Sequence, residues 1–196
     1  MNSKLIIFIS GRGSNMQRII EETQKGILKN IAEVILVFSD KPDAHGLQIA
    51  KKSGVPIKSI NAKGKSRKQY NEEVLSLLEN YNFDYIVLAG YMRILSTDFV
   101  RKFPKKIINI HPADTRLHQG LNGYQWAYEN KLPLTKITVH YVDEGMDTGK
   151  IIAQKEVDLT GVKSLEEVEQ RGLAVEHKLY PKTLLELITM KQNIRH

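Results

Sequence analysis

The chain has 196 residues, 41% of them hydrophobic and 26% charged, and a formal net charge of +7, which describes a globular chain with material for a sizeable core. No apolar stretch approaches the roughly 20 residues that a membrane span needs, and the N-terminal LIIFIS run is too short and wrongly flanked for a secretory signal, so a membrane partner is not expected. Zero cysteines exclude disulfides, thiolate metal sites and a cysteine nucleophile, and point to the cytoplasm. The basic residues are scattered and never interleaved with aromatics, so no nucleic-acid partner is expected; lysines that solvate the surface, or an anionic small substrate, account for the excess.

In chain order, apolar runs predict strands at Leu5–Ser10, Ala32–Ser39, Pro56–Asn61, Tyr85–Gly90 and Ile107–Ile110. Between them, Met16–Gln24, Ala44–Ser53 and Ser66–Asn80 carry apolar residues at three- and four-residue spacing, with Ser66 as N-cap of the third helix. Continuous apolar strands separated by helices imply right-handed crossovers and a mainly parallel sheet covered on both faces. A short helix at Tyr124–Asn130 is followed by two strand-like runs, TKITVHYV and KIIAQKEV, with a loop over Asp143–Gly149 between them, an antiparallel hairpin. Ser164 and Glu167 have the spacing of a capping box and open a helix that runs to about Thr189, with an interruption expected at Tyr180-Pro181 because proline lacks the N–H and clashes one turn back. Residues after Met190 read as a polar tail. With no repeat, low-complexity tract or linker, residues 1–196 read as one domain. The fold class is α/β, doubly wound, with an antiparallel C-terminal hairpin and a long C-terminal helix.

Gly11-Arg12-Gly13-Ser14-Asn15 lies between the first strand and the first helix, where unpartnered backbone amides and the helix N-terminus favour a phosphate. The dinucleotide alternative is weakened because Met16 stands where G-x-G-x-x-G needs its third glycine, although Asp40 ends the second strand where a ribose-binding acid would sit. A purely structural tight turn is the other alternative. Lys63-Gly64-Lys65-Ser66 contains the GKS of a P-loop, but Ser59 replaces the required first glycine, so kinase or ATPase chemistry is not expected.

His111 follows a predicted strand at its carboxyl end, the edge where ligands of open α/β sheets bind, and Pro112 keeps it extended. Asn109, two residues earlier, shares its side of the strand. An amide, an imidazole and the loop carboxylate Asp147 could stabilise an oxyanion and move a proton. Taken alone, Asp147, Asp143 and Glu144 read equally well as turn formers. His140 sits in an alternating strand and reads as structural, and His45, His118, His177 and His196 have no metal-ligand spacing, so no metal is expected.

GRGSNMQ, YMRIL at Tyr91–Leu95, NIHP, VHYVDEGMDTGKIIAQ and EHKLYP at Glu176–Pro181 together resemble the phosphoribosylglycinamide formyltransferase family, in the same order and at similar spacing from about Leu5 to Leu187. The resemblance implies transfer of a formyl group from 10-formyltetrahydrofolate, a co-substrate, to the amine of glycinamide ribonucleotide in purine biosynthesis, and a formyltransferase-like fold. It implies that Gly13, Ser14 and Asn15 bind the substrate phosphate and that Glu176 lies near its glycinamide end. It implies that Met92, Arg93, Ile94 and Leu95 line the folate pocket, that Arg67 contacts the folate, and that Asn109, His111 and Asp147 are catalytic, with Asp147 raising the His111 pKa. Some members are dimers, so a homodimer is left open.

One segment departs from the pattern. After NIHP the family usually continues Ser-Leu-Leu-Pro, whereas this chain reads Ala113-Asp114-Thr115-Arg116-Leu117-His118-Gln119-Gly120. Asp114 is expected to compete with Asp147 for the imidazole, and Arg116 to pair with Asp114 or with an anionic substrate. Relatives that formylate methionyl-tRNA or an amino sugar carry a further C-terminal domain and formyltetrahydrofolate hydrolases a further N-terminal one, which this chain is expected to lack. A non-enzymatic nucleotide-binding module would explain the Gly11 loop but not the trio.

Overall fold

The computed structural model describes residues 2–194, so His196, one of the histidines weighed above, and the end of the polar tail lie outside the described residues. Seven strands, β1 (Ser3–Ile9), β2 (Ala32–Ser39), β3 (Ile57–Ser59), β4 (Tyr85–Leu88), β5 (Ile107–His111), β6 (Leu134–Tyr141) and β7 (Ile151–Asp158), form one sheet in the order β3-β2-β1-β4-β5-β6-β7. The first five are parallel; β6 runs antiparallel to β5, and β7 antiparallel to β6. This is the expected doubly wound sheet with its C-terminal hairpin. Because β2 and β3 lie on one side of β1 while β4 and β5 lie on the other, the winding reverses between β1 and β4, and a crevice opens at their carboxyl ends.

The helices are α1 (Ser14–Lys25), α2 (His45–Lys52), α3 (Arg67–Leu78), α4 (Thr97–Lys102), α5 (Gly123–Glu129) and α6 (Leu165–Ile194). Alternate residues of β1 feed two cores: Leu5, Ile7 and Ile9 pack with α1, α2 and α6, while Ile6 and Phe8 pack with α3 and α4. That is why β1 reads as an unbroken apolar run. Ser66 caps α3 as expected, its side chain accepting from Gln69 N–H while the Gln69 side chain accepts from Ser66 N–H.

The structure adds one helix that was not expected and changes two expectations. First, α4 has no periodic signal in six residues; Ser96, whose Oγ accepts from Phe99 N–H at 3.2 Å, is its only sequence mark. Second, the capping box of α6 forms by half. Ser164 Oγ accepts from Glu167 N–H at 3.2 Å, but the Glu167 carboxylate reaches one residue further back, to Lys163 N–H at 2.7 Å. Third, α6 does not stop at Tyr180-Pro181; it runs through Pro181 to Ile194. Tertiary packing outweighs the lost hydrogen bond: Tyr180, Leu184 and Ile188 are fully buried, and the Tyr180 hydroxyl sits 2.9 Å from both Leu88 O and Ile108 O. No helix among the described residues is long and apolar enough to cross a membrane.

Candidate active site

The crevice between β1 and β4 gathers most of the residues singled out in the sequence. Gly13 caps α1 at φ +77°, a left-handed conformation natural only to glycine, and a Cβ there would lie 3.0 Å from Gly46 Cα. Gly46 N–H donates to Gly11 O at 3.0 Å, so α2 is fastened to the turn. The close approach that a third glycine would have supplied at position 16 is made instead by Gly46, and Met16 is buried beneath the turn. Gln17 N–H closes the first helical turn on Gly13 O, leaving the amides of Ser14, Asn15 and Met16 as the donors of a helix N-terminus.

The Asn15 side chain points the other way. Its Nδ2 donates to Glu176, whose second carboxylate oxygen accepts from the Tyr124 hydroxyl, and Asn15 Oδ1 is buried without a partner. Glu176 is 5% exposed, and burial raises its pKa against the lowering effect of the Tyr124 and Asn15 hydrogen bonds. Asp40 is not free for a ribose either. It is buried and accepts from the Ser10 hydroxyl at 2.6 Å, and Ser10 Oγ in turn accepts from Met92 N–H at 2.9 Å, which ties the β4 exit to the β1 exit.

That exit carries Met92 and Ile94, 59% and 50% exposed, while Leu95 packs on the core and the Arg93 guanidinium lies 4.7 Å above the Tyr70 ring. Arg67 stands exposed at the first position of α3. An apolar lip with cations beside it suits a flat aromatic ligand with an anionic tail. Arg93 also borders a cavity of about 560 Å³ lined by Asp40, Lys41, Asn61 and Lys63.

Asn109 lies in β5 as expected, and His111, expected just beyond the strand, is its last residue. Asp147 comes to them from the β6–β7 loop, at φ +53°. The loop is shaped by Asp143, whose Oδ1 accepts from Gly145 N–H and the Thr148 hydroxyl, and it is tied to α4 by Arg101 and Glu144. Asp147 Oδ1 accepts from Asn109 Nδ2 at 3.2 Å, and Oδ2 accepts from Gly120 N–H at 2.9 Å and lies 3.4 Å from His111 Nδ1. Burial alone would raise the Asp147 pKa, but the His140 ring, His111 and Gly120 N–H together bring it below the ordinary carboxylate value.

His140, which its alternating strand assigns to the core, is indeed buried, yet it also completes this cluster. It pairs in register with Asn109, places Nε2 3.2 Å from Asn109 Nδ2 and 3.3 Å from Asp147 Oδ1, and presents Nδ1 to Tyr141 O at 2.8 Å. The missing signal is the β5–β6 register, which no local pattern encodes. His111 Nε2 lies 3.1 Å from His118 O. Asp147 does act to raise its pKa, as expected, but burial outweighs that effect and the net shift is downward from the ordinary imidazole value. Asp114 does not compete for that ring; Arg116 claims it, with Nε at 3.0 Å and Nη2 at 2.9 Å. Among the described residues, no group of three or more His, Cys, Asp or Glu is arranged to hold a metal ion.

Comparison with known proteins gives the cluster its context. The chain is 36% identical over 183 residues to the trifunctional purine biosynthetic protein adenosine-3 of Bos taurus and 38% identical over 186 residues to that of Drosophila melanogaster, covering 93% and 94% of this chain. It spans only 18% and 14% of the length of those relatives. Among solved structures, it matches the phosphoribosylglycinamide formyltransferase of Bacillus halodurans with a TM-score of 0.89 at 37% identity, covering 95% of both chains. It matches glycinamide ribonucleotide transformylase 1 of Symbiobacterium toebii with a TM-score of 0.90 at 32% identity, covering 96% of this chain and 88% of that one. The sequence profile described as formyl transferase matches residues 3–184, an interval that runs from β1 into α6 and contains every site residue above. The chain belongs to the formyl transferase family.

Proposed function

We propose that this chain transfers a formyl group from 10-formyltetrahydrofolate to the amine of glycinamide ribonucleotide, a step of purine biosynthesis, and does so in the cytoplasm. The observation that carries the reading is the convergence of Asn109, His111 and Asp147 at the carboxyl end of β5, beside a helix N-terminus that suits a phosphate. The near-complete match to solved phosphoribosylglycinamide formyltransferases supports the choice of substrate.

The folate supplies the formyl group as a co-substrate, and its binding falls to the apolar lip of Met92 and Ile94, to Leu95, and to Arg93 and Arg67. The amides of Gly13, Ser14 and Asn15 hold the ribonucleotide phosphate. Asn15 contributes its backbone, because its side chain is engaged by Glu176, and Glu176 supports that end of the substrate from beneath. As the amine adds to the formyl carbon, negative charge grows on the formyl oxygen, and Asn109 Nδ2 and His111 Nε2–H are the donors placed to meet it. Both donors are satisfied within the protein in this structure, by Asp147 and by His118 O, so productive binding exchanges those acceptors for the formyl oxygen. A neutral His111 retains a lone pair on Nδ1, facing the Asp147 carboxylate; the His111–Asp147 pair can take the proton that the attacking amine sheds and return it to the folate nitrogen as the bond from that nitrogen to the formyl carbon breaks, which releases tetrahydrofolate and the N-formyl product.

The test is acceptor dependence. Folate product should be released from a 10-formylfolate donor only when glycinamide ribonucleotide is present. Equal release without an acceptor would indicate a hydrolase, and release only with another amine would change the substrate.

A further inference from the structure

Asp114, in the segment where the sequence departs from the expected Ser-Leu-Leu-Pro, is 6% exposed and is engaged by a backbone amide and three side chains. Its Oδ1 accepts from Arg116 N–H at 3.1 Å, Arg116 Nε at 3.0 Å and Gln154 Nε2 at 3.1 Å. Its Oδ2 accepts from Arg116 Nη2 at 2.9 Å and lies 3.4 Å from Lys136 Nζ. The Arg116 hydrogen bonds, ahead of the opposing effect of burial, hold this carboxyl well below the usual carboxylate range. A carboxylate withdrawn from water needs such partners, and here they come from β6, β7 and its own loop. The adjoining backbone is secured too, with the Thr138 hydroxyl donating to Ala113 O at 2.7 Å and Gln154 Nε2 donating to Thr138 Oγ1 at 2.8 Å.

The turn that results, closed by Leu117 N–H and His118 N–H on Asp114 O at 2.8 and 2.9 Å, ends in two contacts with the candidate site. His118 O faces His111 Nε2 at 3.1 Å, and the His118 ring stacks on Trp126, centroids 4.8 Å apart. Gly120 N–H donates to Asp147 Oδ2 at 2.9 Å. Both ring nitrogens face groups that only accept, but the Nε2 contact with His118 O, at 3.1 Å, is closer than the 3.4 Å between Nδ1 and Asp147 Oδ2 and alone has hydrogen-bond geometry, so it favours the ring proton on Nε2, the nitrogen that must donate to the formyl oxygen. The second gives the Asp147 carboxylate a donor that favours its charged form.

We propose that Asp114 is a positioning residue: by fixing the 113–120 loop to β6 and β7, it sets the tautomer of His111 through His118 O and the charge of Asp147 through Gly120 N–H. The catalytic part of this role rests on the formyl-transfer reading; the tautomer does not. His111 faces Asp147, His140 on β6 and His118 from the loop; Asp147 faces His111 and His140; Asp114 faces Arg116 and Lys136.

The experiment is ring-nitrogen NMR of the ligand-free, ¹⁵N-histidine-labelled chain, comparing wild type with Asp114→Asn, Asp114→Ala and Arg116→Leu, followed by pH profiles of kcat/KM. His111 should be the Nε2–H tautomer in wild type. It should move toward a mixture in Asp114→Asn, which keeps an acceptor but loses the charge, and further in Asp114→Ala. In both variants kcat/KM should fall about ten- to a hundred-fold, with its acid limb displaced to lower pH, because the His118 O contact that raises the pKa of His111, the group whose neutral form takes the proton, is weakened. A purely structural Asp114 would lower thermal stability while leaving the tautomer and the acid limb where wild type has them, and that result overturns the proposal. If the Asp114 variants do not fold, Arg116→Leu, at an exposed side chain, decides by the same two readouts. A tautomer shift in a chain that shows no formyl transfer would support the positioning role and count against the proposed function.

Discussion

At the scale of single residues, His111 carries an unusual demand, because both ring nitrogens face acceptors, His118 O and Asp147, while its burial disfavours the imidazolium that would satisfy both. Burial outweighs the two acceptors in the ligand-free state, and in the proposed reaction a formyl oxygen that becomes negative would tip the ring toward accepting a second proton. Asn109→Ala and His111→Ala should therefore fold and lose about 10²- to 10³-fold in kcat, as loss of a preorganised oxyanion donor typically does; wild-type turnover in either would refute the assignment. Asp147 allows charge to be separated from conformation. Asn tolerates its left-handed φ as readily as Asp does, so Asp147→Asn should keep the wild-type fold and lose about 10²- to 10⁴-fold in turnover. A misfolded Asp147→Asn would show that the carboxylate holds the loop rather than the proton. Asn109 and His111 stood out in the sequence because a strand end marks itself locally, whereas Asp147, in a glycine-rich loop, reads alone as a turn former and stood out only through the family resemblance. His140 did not stand out, since its place depends on pairing opposite Asn109 across two antiparallel strands.

At the scale of elements, α6 shows how packing overrides local preference. Pro181 should break it, but Tyr180 anchors the helix to β4 and β5 by one buried hydroxyl. Tyr180→Phe leaves two buried carbonyls without that donor and should cost about 1–3 kcal/mol in denaturant titrations; an unchanged midpoint would mean that apolar contact alone carries the helix past the proline. One turn of logic earlier, Gly172 lies in the interior of α6, where a glycine costs about 1 kcal/mol relative to alanine. A Cβ there would sit 2.2 Å from the Tyr124 ring, whose hydroxyl reaches Glu176. Gly172→Ala should accordingly destabilise the protein by about 1–3 kcal/mol. In a Tyr124→Ala background the same substitution should stabilise, since only the helix propensity is left; failure of the sign to reverse would remove Tyr124 as the reason for the glycine. The parallel strands and long helices were readable from apolar periodicity, whereas α4 was too short to show one.

At the scale of the whole molecule, the distribution of shifted groups sets the pH response. His111 and His177 have pKa values lowered by burial from an ordinary 6.5, so the unfolded chain binds protons that the folded chain refuses as the pH drops through that value. Stability consequently falls as the pH drops through about 6.5 toward their folded values. Asp147 and Asp114, with pKa values depressed from 3.8, add stability that is fully present above that value and is lost as the pH falls toward their folded values. Glu176 opposes this trend, since its raised pKa favours the folded state most at low pH and that contribution disappears as the pH rises through its folded value. Thermal melts of Glu176→Gln across this range, with that opposing contribution removed, should show Tm declining with acidification, and a flat or rising Tm there would contradict the buried histidines as its source. The net charge of +7, scattered in the sequence, gave the class of substrate no sharper definition than an anion; the helix N-terminus at Gly13 and the cations Arg67 and Arg93 at the crevice supply the local form of that preference.

The central claim is that the formyl carbon passes to the amine of glycinamide ribonucleotide at the Asn109, His111 and Asp147 cluster. A ¹³C-formyl donor incubated with glycinamide ribonucleotide and followed by NMR tests it directly. The label should appear as the N-formyl group of the ribonucleotide with wild type and only at trace rate with His111→Ala. Label recovered as formate, or transfer that proceeds equally in His111→Ala, would contradict it.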